Sequence, residues 1–458
     1  MNATTLDEVV RTDPILRRSP GVAVLRLGLP LALGLASHAL INLVDLLLVG
    51  RLGGEAIRAA HVATTWNFLP MIVGNCVSTA LLAQLSRRLG SADRMGARQL
   101  HVRAQWFMLW LSLAVGLATA LPAVPMVDAT GLVGPARDSA VHYLVVSNLG
   151  CVPMFVLMQT TAAMRAAGEA LVPLGLLLLA NLCNLGLDLV LLFGWEALGV
   201  PSVGVVGAAY ATVASRAVAA ALAFAWLRRR GHVLSLRSVP AARTPVAGPL
   251  LSDAWPQILQ IGLRAGIVLL LTIVVQRQFG DNATVALGIT TRLDTLVLFG
   301  ALGFANAATA YAGRAVMVGW QWPARAAGLW AAVQAGLLGT IFVLCMQQGS
   351  TTIVGWFLPT PPPAVVVSTQ LYFRIAAWAQ VFGAVALGAI GAVHGAGRMV
   401  APLVVDLLGF AVTAALLGRA VLVGADLEGV YGALVFGMGC VAALQVAFVV
   451  RGRLAQLR

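Results

Sequence analysis

Lysine is absent from this sequence, and charge of either sign is scarce. All 30 basic residues are arginine, 17 residues are acidic, and charged residues make up 10% of the 458 positions. Because a soluble domain needs a surface that is roughly 25–35% charged, this scarcity excludes an ordinary soluble protein. With 60% hydrophobic residues and a mean hydropathy of +0.90, the chain is predicted to be a polytopic membrane protein.

Signatures of catalysis and of metal binding are also missing. There is no HExxH, GxSxG or GxGD motif and no Walker A lysine, so we expect neither an enzyme nor a cofactor. The arginines lie in short loops rather than in a patch, which argues against nucleic-acid binding. The cysteines show no CxxC spacing and indicate neither a disulfide framework nor a metal site; they are Cys76, Cys151, Cys183, Cys345 and Cys440.

Long apolar runs, by contrast, recur twelve times along the chain. Each is long enough to cross a hydrocarbon core about 30 Å thick. Residues 1–22 form a polar tail without the cleavage pattern of a signal peptide, and residues 451–458 form a second tail. We therefore predict an all-α membrane protein with transmembrane helices near residues 23–49, 61–85, 104–126, 139–163, 171–194, 204–228, 252–277, 285–312, 326–347, 370–393, 400–422 and 429–450.

The arginines predict the orientation of these helices. When the connecting loops are assigned alternately to the two sides, 21 of the 30 arginines fall on one side and six on the other. By the positive-inside rule the richer side is cytoplasmic, so we expect both termini in the cytoplasm. The other three, Arg216, Arg264 and Arg292, fall within helices.

The two halves of the chain resemble each other weakly. A shift of 226 residues places Pro30 on Pro256 and Gly54 on Gly280. Since each half holds an even number of helices, both copies enter the membrane from the same side, as in parallel repeats. We predict an N-lobe at residues 23–228, a cytoplasmic linker at 229–251 and a C-lobe at 252–450.

One carboxylate lies deep in the first predicted helix. Asp45 follows Pro30 by fifteen residues, with no basic residue nearby to compensate it. An Asp at mid-bilayer costs roughly 2.5 to 3.5 kcal/mol, so it is expected to face a bundle interior and to be functional. Pro30 removes a helical hydrogen bond and is the candidate hinge.

The fifth predicted helix carries a second carboxylate. Asn181, Asn184 and Asp188 follow at spacings of three and four and share one helix face. If Asp188 approaches Asp45 in a dry pocket, the pair would bind one proton or one cation such as Na⁺; the bland alternative is that Asp188 snorkels to the nearby helix end. Thr212, in the sixth helix, is either a packing residue or an extra oxygen ligand.

Further polar groups lie inside the predicted helices. His38 is two turns before Asp45 and is either a proton relay or a satisfied core histidine. Arg264 needs an internal anion, for which Asp294 and Asp406 are available. A structural ion pair is our first interpretation of Arg264, and a contact with substrate is the second.

These motifs together resemble the multidrug and toxic compound extrusion (MATE) family. The resemblance rests on Pro30 with DLLLVGRLGGEAIRAA, MRAAGEALVP, NLCNLGLDLVLLFG and GVVGAAYATVASR, and on their weak repetition in the second half. It implies an outward-opening V of two six-helix lobes around a central cavity, which exchanges drug-like solutes for H⁺ or Na⁺. The DinF-like branch couples through the first lobe, which here implies Asp45, Asn184 and Asp188, with Pro30 as the bend and Thr212 as an extra ligand.

Two departures from the family pattern favour first-lobe coupling. Gly383 stands where the NorM-like branch carries an acidic residue, and Leu302 and Ala308 stand where the eighth helix of the DinF-like branch carries acids. The resemblance thus implies a monomeric antiporter of a bacterial inner membrane that exports amphipathic cationic compounds. The alternatives are a flippase for a lipid or lipid-linked glycan, or a membrane enzyme or receptor.

Overall fold

The computed structural model describes residues 12–196, 199–229, 232–235, 245–358 and 360–452. Half of the predicted N-terminal tail, much of the linker and most of the C-terminal tail lie outside these residues. Within them the chain is helical and forms no strand, apart from an isolated bridge between Trp195 and Val200. The prediction of an all-α fold is confirmed.

Fourteen α-helices cover the described residues. The helices are α1 (Pro20–Gly50), α2 (Gly54–Gly90), α3 (Arg94–Ala120), α4 (Ala123–Asp128), α5 (Pro135–Leu149), α6 (Cys151–Ala167), α7 (Leu171–Phe193), α8 (Val205–Leu227), α9 (Ala247–Met317), α10 (Gln321–Phe357), α11 (Pro363–Leu371), α12 (Trp378–Gly395), α13 (Val400–Leu422) and α14 (Leu427–Arg451). Helix α4 has six residues and is too short to span a membrane, whereas α11 and α12 together form one candidate span, Pro363–Gly395.

Helix α9 has 71 residues and is broken at Gly280, whose φ of 75° and ψ of −164° are not helical. A straight helix of that length would extend roughly 105 Å, more than three hydrocarbon cores. Glycine adopts such a φ at little cost, so α9 supplies two spans. Ten described helices are long and apolar enough to cross a membrane, and the pair α5 and α6 makes eleven. With α9 counted twice, the predicted number of twelve spans is reached.

The predicted span 139–163 is not one helix. Helices α5 and α6 meet at Gly150 with a bend of 42°. Pro153 cannot donate the backbone hydrogen bond of the first turn of α6. A Cβ on Gly150 would lie 2.3 Å from a methyl carbon of Val213 on α8, so the backbone at the bend approaches α8 as closely as glycine allows.

Several helices are longer than their apolar runs. Helix α2 was predicted at residues 61–85 but has 37 residues and carries Glu55 in its first turn and Arg87 and Arg88 in its last. Hydropathy detects the hydrocarbon core only, whereas the helix continues through the polar layer on both sides. The first and last residues of helices α7, α8 and α13 agree with the prediction to within one residue.

The chain divides into two compact units, and α1 contributes to both. One unit holds the described residues up to Ala36, residues 90–92 and those from Trp255 onwards; the other holds Ser37–Leu89 and Asp93–Ala254. The division after Ala36 falls inside α1, and the predicted lobe boundaries stay a prediction. In the former unit, Arg314 Nε pairs with Asp13 Oδ2 at 3.2 Å, which ties the segment before α1 to the end of α9.

The unit that begins at Ser37 has its own core. Small and branched apolar side chains from the end of α1 and from α2, α5, α7 and α8 are buried together, among them Val49, Ala63, Leu144, Leu192 and Ala209. Alanine at these contacts lets the helices approach closely, as is usual for transmembrane helices. This packing brings the polar faces of α1, α7 and α8 together inside one unit.

Candidate functional site

The two carboxylates predicted from the sequence meet in one unit. Asp45 on α1 and Asp188 on α7 lie within hydrogen-bonding reach of each other through their carboxyl groups. The side chain of Asp188 is 0% exposed, so it does not snorkel to the helix end. Neither oxygen of Asp188, nor Oδ1 of Asp45, accepts a hydrogen bond from a described N–H or O–H group. Two ionised carboxylates in contact repel each other, so this pair needs a shared proton or a bound cation.

Neutral oxygens and amides lie beside the pair. Asn184, one turn before Asp188, is buried and donates from Nδ2 to Oγ1 of Thr212 on α8 at 3.5 Å. Thr212 is therefore oriented towards the polar face of α7, although its hydroxyl already accepts from Asn184. Among the described hydrogen bonds, none joins the Asn184 amide to Asp45 or Asp188.

His38 and Asn181 form a second polar layer one to two turns away. Asn181 donates from Nδ2 to the hydroxyl of Ser37 at 2.9 Å and is also hydrogen-bonded to His38. His38 thus has a local partner in its own unit, which agrees with the interpretation of a satisfied core histidine. Its distance along α1, seven residues from Asp45, separates it from the carboxyl pair by two turns.

Two residues that the sequence interpretation did not assign to this site complete it. Tyr143 on α5 is 8% exposed and lies within electrostatic range of Asp45 and Asp188. Arg216 on α8 lies within range of Asp45, Tyr143 and His38. Arg216 had a usable signal, since it is an intramembrane arginine one turn after Thr212. Tyr143 had none, because its proximity depends on the packing of α5.

Arg264 lies in the other unit and finds the anion that it requires. Its Nη2 is 3.4 Å from Oδ2 of Asp406 on α13. The same carboxylate accepts from Nε2 of Gln260 at 3.2 Å and from Nε2 of Gln445 at 2.9 Å. Of the two acids proposed as partners, the structure selects Asp406, and a structural ion pair describes Arg264 well.

Asp294 has other partners. It accepts hydrogen bonds from the hydroxyl of Tyr372 and, at 3.1 Å, from Nε2 of Gln380. Tyr372 begins a five-residue π-helical turn, Tyr372–Ala376, that precedes α12. Such turns often occur at functional sites. Here the turn presents Tyr372 to a carboxylate that is 7% exposed.

The candidate hinge Pro30 lies inside α1, which runs without interruption through it. The missing N–H leaves the carbonyl of Arg26 without its helical donor. Pro30 belongs to the unit that includes the second half of the chain, whereas Asp45, on the same helix, belongs to the other.

Twelve candidate helical spans in the described residues indicate a multi-pass membrane protein, and a buried carboxyl pair lies inside one of its units. The MatE family model matches residues 30–190. A protein of Deinococcus radiodurans described as a probable multidrug resistance protein NorM is 26% identical over 402 residues, 85% of either chain. Its counterpart in Xanthomonas campestris is 27% identical over 355 residues, 76% of either chain. The chain is thus similar, over the first part matched by the family model and along most of its length to these relatives, to the MATE multidrug transporters.

Solved structures agree with this fold. A transporter of the MOP superfamily from Pyrococcus furiosus, whose description reports a reverse polarity of the binding pocket, superimposes with a TM-score of 0.85 at 22% identity and covers 96% of this chain and 97% of its own. An outward-facing multidrug resistance MATE family transporter gives a TM-score of 0.85 at 21% identity over 95% of this chain and 96% of its own. Both likenesses concern the fold alone.

Proposed function

We propose that this chain is a secondary antiporter that exports amphipathic cationic compounds in exchange for H⁺ or Na⁺, with Asp45 and Asp188 as the coupling pair. The observation that carries the proposal is the contact between two carboxyl groups that lack other donors. Coupling through this pair is the arrangement of the DinF-like branch of the family. The relatives from Deinococcus and Xanthomonas are bacterial, so we place the protein in a bacterial inner membrane, and the arginine distribution favours both termini in the cytoplasm.

Exchange would follow from competition for the pair. A bound ion neutralises Asp45 and Asp188, whereas an empty pair attracts a cationic solute. Because Asp45 lies on α1, a change of its charge acts on a helix that also contains Pro30 and belongs to both units. One charge moving through 100 mV supplies ~2.3 kcal/mol, enough for a gradient of about fifty-fold.

The test is ion-driven efflux by the full-length protein in liposomes, with ethidium as the probe. Asp45→Asn and Asp188→Asn each remove one of the paired charges and are expected to abolish efflux driven by a pH or Na⁺ gradient. Asp138→Asn is the matched control, because the side chain of Asp138 is 69% exposed and pairs only with Arg137 at the start of α5. Wild-type efflux rates in the Asp45→Asn variant would refute coupling through the pair.

A flippase for lipid-linked glycans is not favoured by the described residues. Such a protein needs basic groups that are free to hold a pyrophosphate, but Arg264 is paired with Asp406 and Arg216 lies near Asp45. The same liposomes distinguish the two functions, since a flippase does not couple ethidium export to an ion gradient.

A further inference from the structure

The coupling site contains a cation of its own. Arg216 lies on α8 one turn after Thr212, the residue that accepts from Asn184. Its guanidinium contacts the sulfur of Met154 on α6, with Nη1 3.2 Å from Sδ. No described carboxylate is close enough to Arg216 for a direct ion pair, although Asp45 lies within its electrostatic range. A guanidinium in a membrane interior is costly and is retained where it has a task.

The charged groups around Arg216 determine how much additional positive charge the site needs. The ionisable groups that face Arg216 are Asp45 and His38 on α1 and Tyr143 on α5, and Asp188 on α7 touches Asp45. A phenol is neutral, and a charged imidazole beside a guanidinium would be strongly unfavourable. The two carboxylates and Arg216 then carry a net charge of −1, so one further positive charge makes the site neutral.

A proton and a metal cation differ in what they need at the pair. A proton shared between the contacting carboxyl oxygens needs no extra room, whereas a metal cation needs a shell of several oxygen ligands. The Thr212 hydroxyl, the candidate extra ligand, already uses one of its two lone pairs to accept from the Asn184 amide. Arg216 also weakens the binding of any cation by repulsion, about tenfold or more for unit charges within roughly 10 Å of each other at an effective dielectric constant of about 20. A desolvated carboxyl pair holds protons far more tightly than Na⁺, so this penalty removes Na⁺ first.

We propose that Arg216 selects the proton as the coupling ion, because its fixed positive charge weakens the binding of Na⁺ at Asp45 and Asp188. The inference rests on the proposed function, which leaves H⁺ and Na⁺ open. It assigns ion selectivity to a residue of this chain that does not itself bind the ion, so Arg216 is a positioning and specificity-determining residue.

Equilibrium binding of radioactive Na⁺ to the purified full-length protein tests this without any transport step. Wild type and Arg216→Lys are expected to show no saturable Na⁺ binding. Arg216→Met keeps roughly the length of the side chain but removes its charge. It is expected to show saturable Na⁺ binding, because the loss of the repulsion raises the affinity by about tenfold or more. Adding Asp188→Asn to Arg216→Met is expected to abolish this binding, which places the ion at the pair. Arg292→Met, in the other unit, is the matched control and is expected to behave as wild type.

Saturable Na⁺ binding by wild type, or none by a monodisperse Arg216→Met, would overturn the inference. A second measurement keeps it testable if Arg216→Met does not fold. Wild-type liposomes are given either a pH gradient or a Na⁺ gradient, and ethidium efflux driven by Na⁺ alone contradicts the inference. Failure of the proposed function looks different, because it would leave Asp45→Asn active in efflux while the Na⁺ binding results stood.

Discussion

At the residue scale, the charged groups inside the helices fall into two kinds. Asp45 and Asp188 contact each other without donors from the described residues, whereas Asp406 accepts from Arg264 and two glutamine amides. The first arrangement is incomplete without an ion and the second is complete. Incomplete polar groups in a membrane interior indicate binding, and complete ones indicate structure.

The pair of Arg264 and Asp406 is accordingly predicted to act on stability. Arg264→Met leaves a buried carboxylate with amide partners only, and we expect a loss of about 1–3 kcal/mol, less than for a fully buried pair because the Arg264 side chain is 22% exposed. The measurement is thermal unfolding of the purified protein in detergent. Adding Asp406→Asn is expected to restore most of the loss.

The matched control for that prediction is Arg374→Met. Arg374 pairs with Glu428, but the two side chains are 67% and 51% exposed, and exposed ion pairs contribute little. If Arg264→Met were as stable as wild type, the ion pair would not be structural, and a contact of Arg264 with substrate would become the better interpretation.

The sequence predicted the two carboxylates because their cost does not depend on where neighbouring helices lie. An Asp in an apolar run is unfavourable whatever surrounds it, and Asp45 and Asp188 were found on that ground. Tyr143 is not predicted, because no feature of the neighbouring sequence distinguishes a tyrosine near the carboxyl pair from one that only packs. Arg216 is marked by its position inside a predicted helix, but its electrostatic link with Asp45 arises from tertiary packing and has no sequence signal.

At the element scale, helix ends were predicted well where an apolar run stops at a glycine with positive φ. Helix α7 ends at Phe193, before Gly194 with a φ of 81°, and α8 begins at Val205, after Gly204 with a φ of 66°. The bend between α5 and α6 was not predicted, because both sides of it are apolar and hydropathy does not change there. The close approach of Gly150 to Val213 is a tertiary feature.

That approach predicts the effect of a methyl group at the bend. In Gly150→Ala the new Cβ would lie 2.3 Å from a methyl carbon of Val213 and 2.8 Å from the carbonyl oxygen of Val146. Overpacking of this kind costs roughly 1–3 kcal/mol, so the unfolding temperature is expected to fall. Adding Val213→Ala to Gly150→Ala is expected to recover part of the lost unfolding temperature. Gly186→Ala on α7 is the control: its Cβ would meet nothing within 4 Å, and stability should be unchanged or slightly higher.

A fall in the unfolding temperature that was equal in Gly150→Ala and Gly186→Ala would contradict this account of the bend. Because Val213 follows Thr212 directly, the displacement of α8 in Gly150→Ala is also expected to slow ethidium efflux in liposomes. Gly186→Ala serves as the control for efflux as well, and is expected to keep the wild-type rate.

At the scale of the whole molecule, the internal repeat explains what the two halves share and where they differ. Pro30 and Pro256 both lie inside helices that begin a half, but Asp45 corresponds to Leu271, which is buried and apolar. The carboxyl pair is thus confined to one unit, although the helical plan recurs in both. We propose that only one unit couples to the ion. This agrees with a scaffold that is repeated in both halves and a carboxyl pair that is present in only one.

The distribution of arginine predicts how this plan is inserted in the membrane. The loop between α2 and α3 follows Arg87 and Arg88 and is expected in the cytoplasm, whereas the loop that contains Thr130, between α4 and α5, is expected outside. In a cysteine-free version of the protein, Thr130→Cys should react with a membrane-impermeant maleimide in intact spheroplasts. Met95 at the start of α3 is 51% exposed. Met95→Cys should therefore react with the reagent, but only after the membrane is permeabilised. The opposite pattern of labelling would invert the assigned orientation, and with it the direction in which the proposed coupling ion is carried.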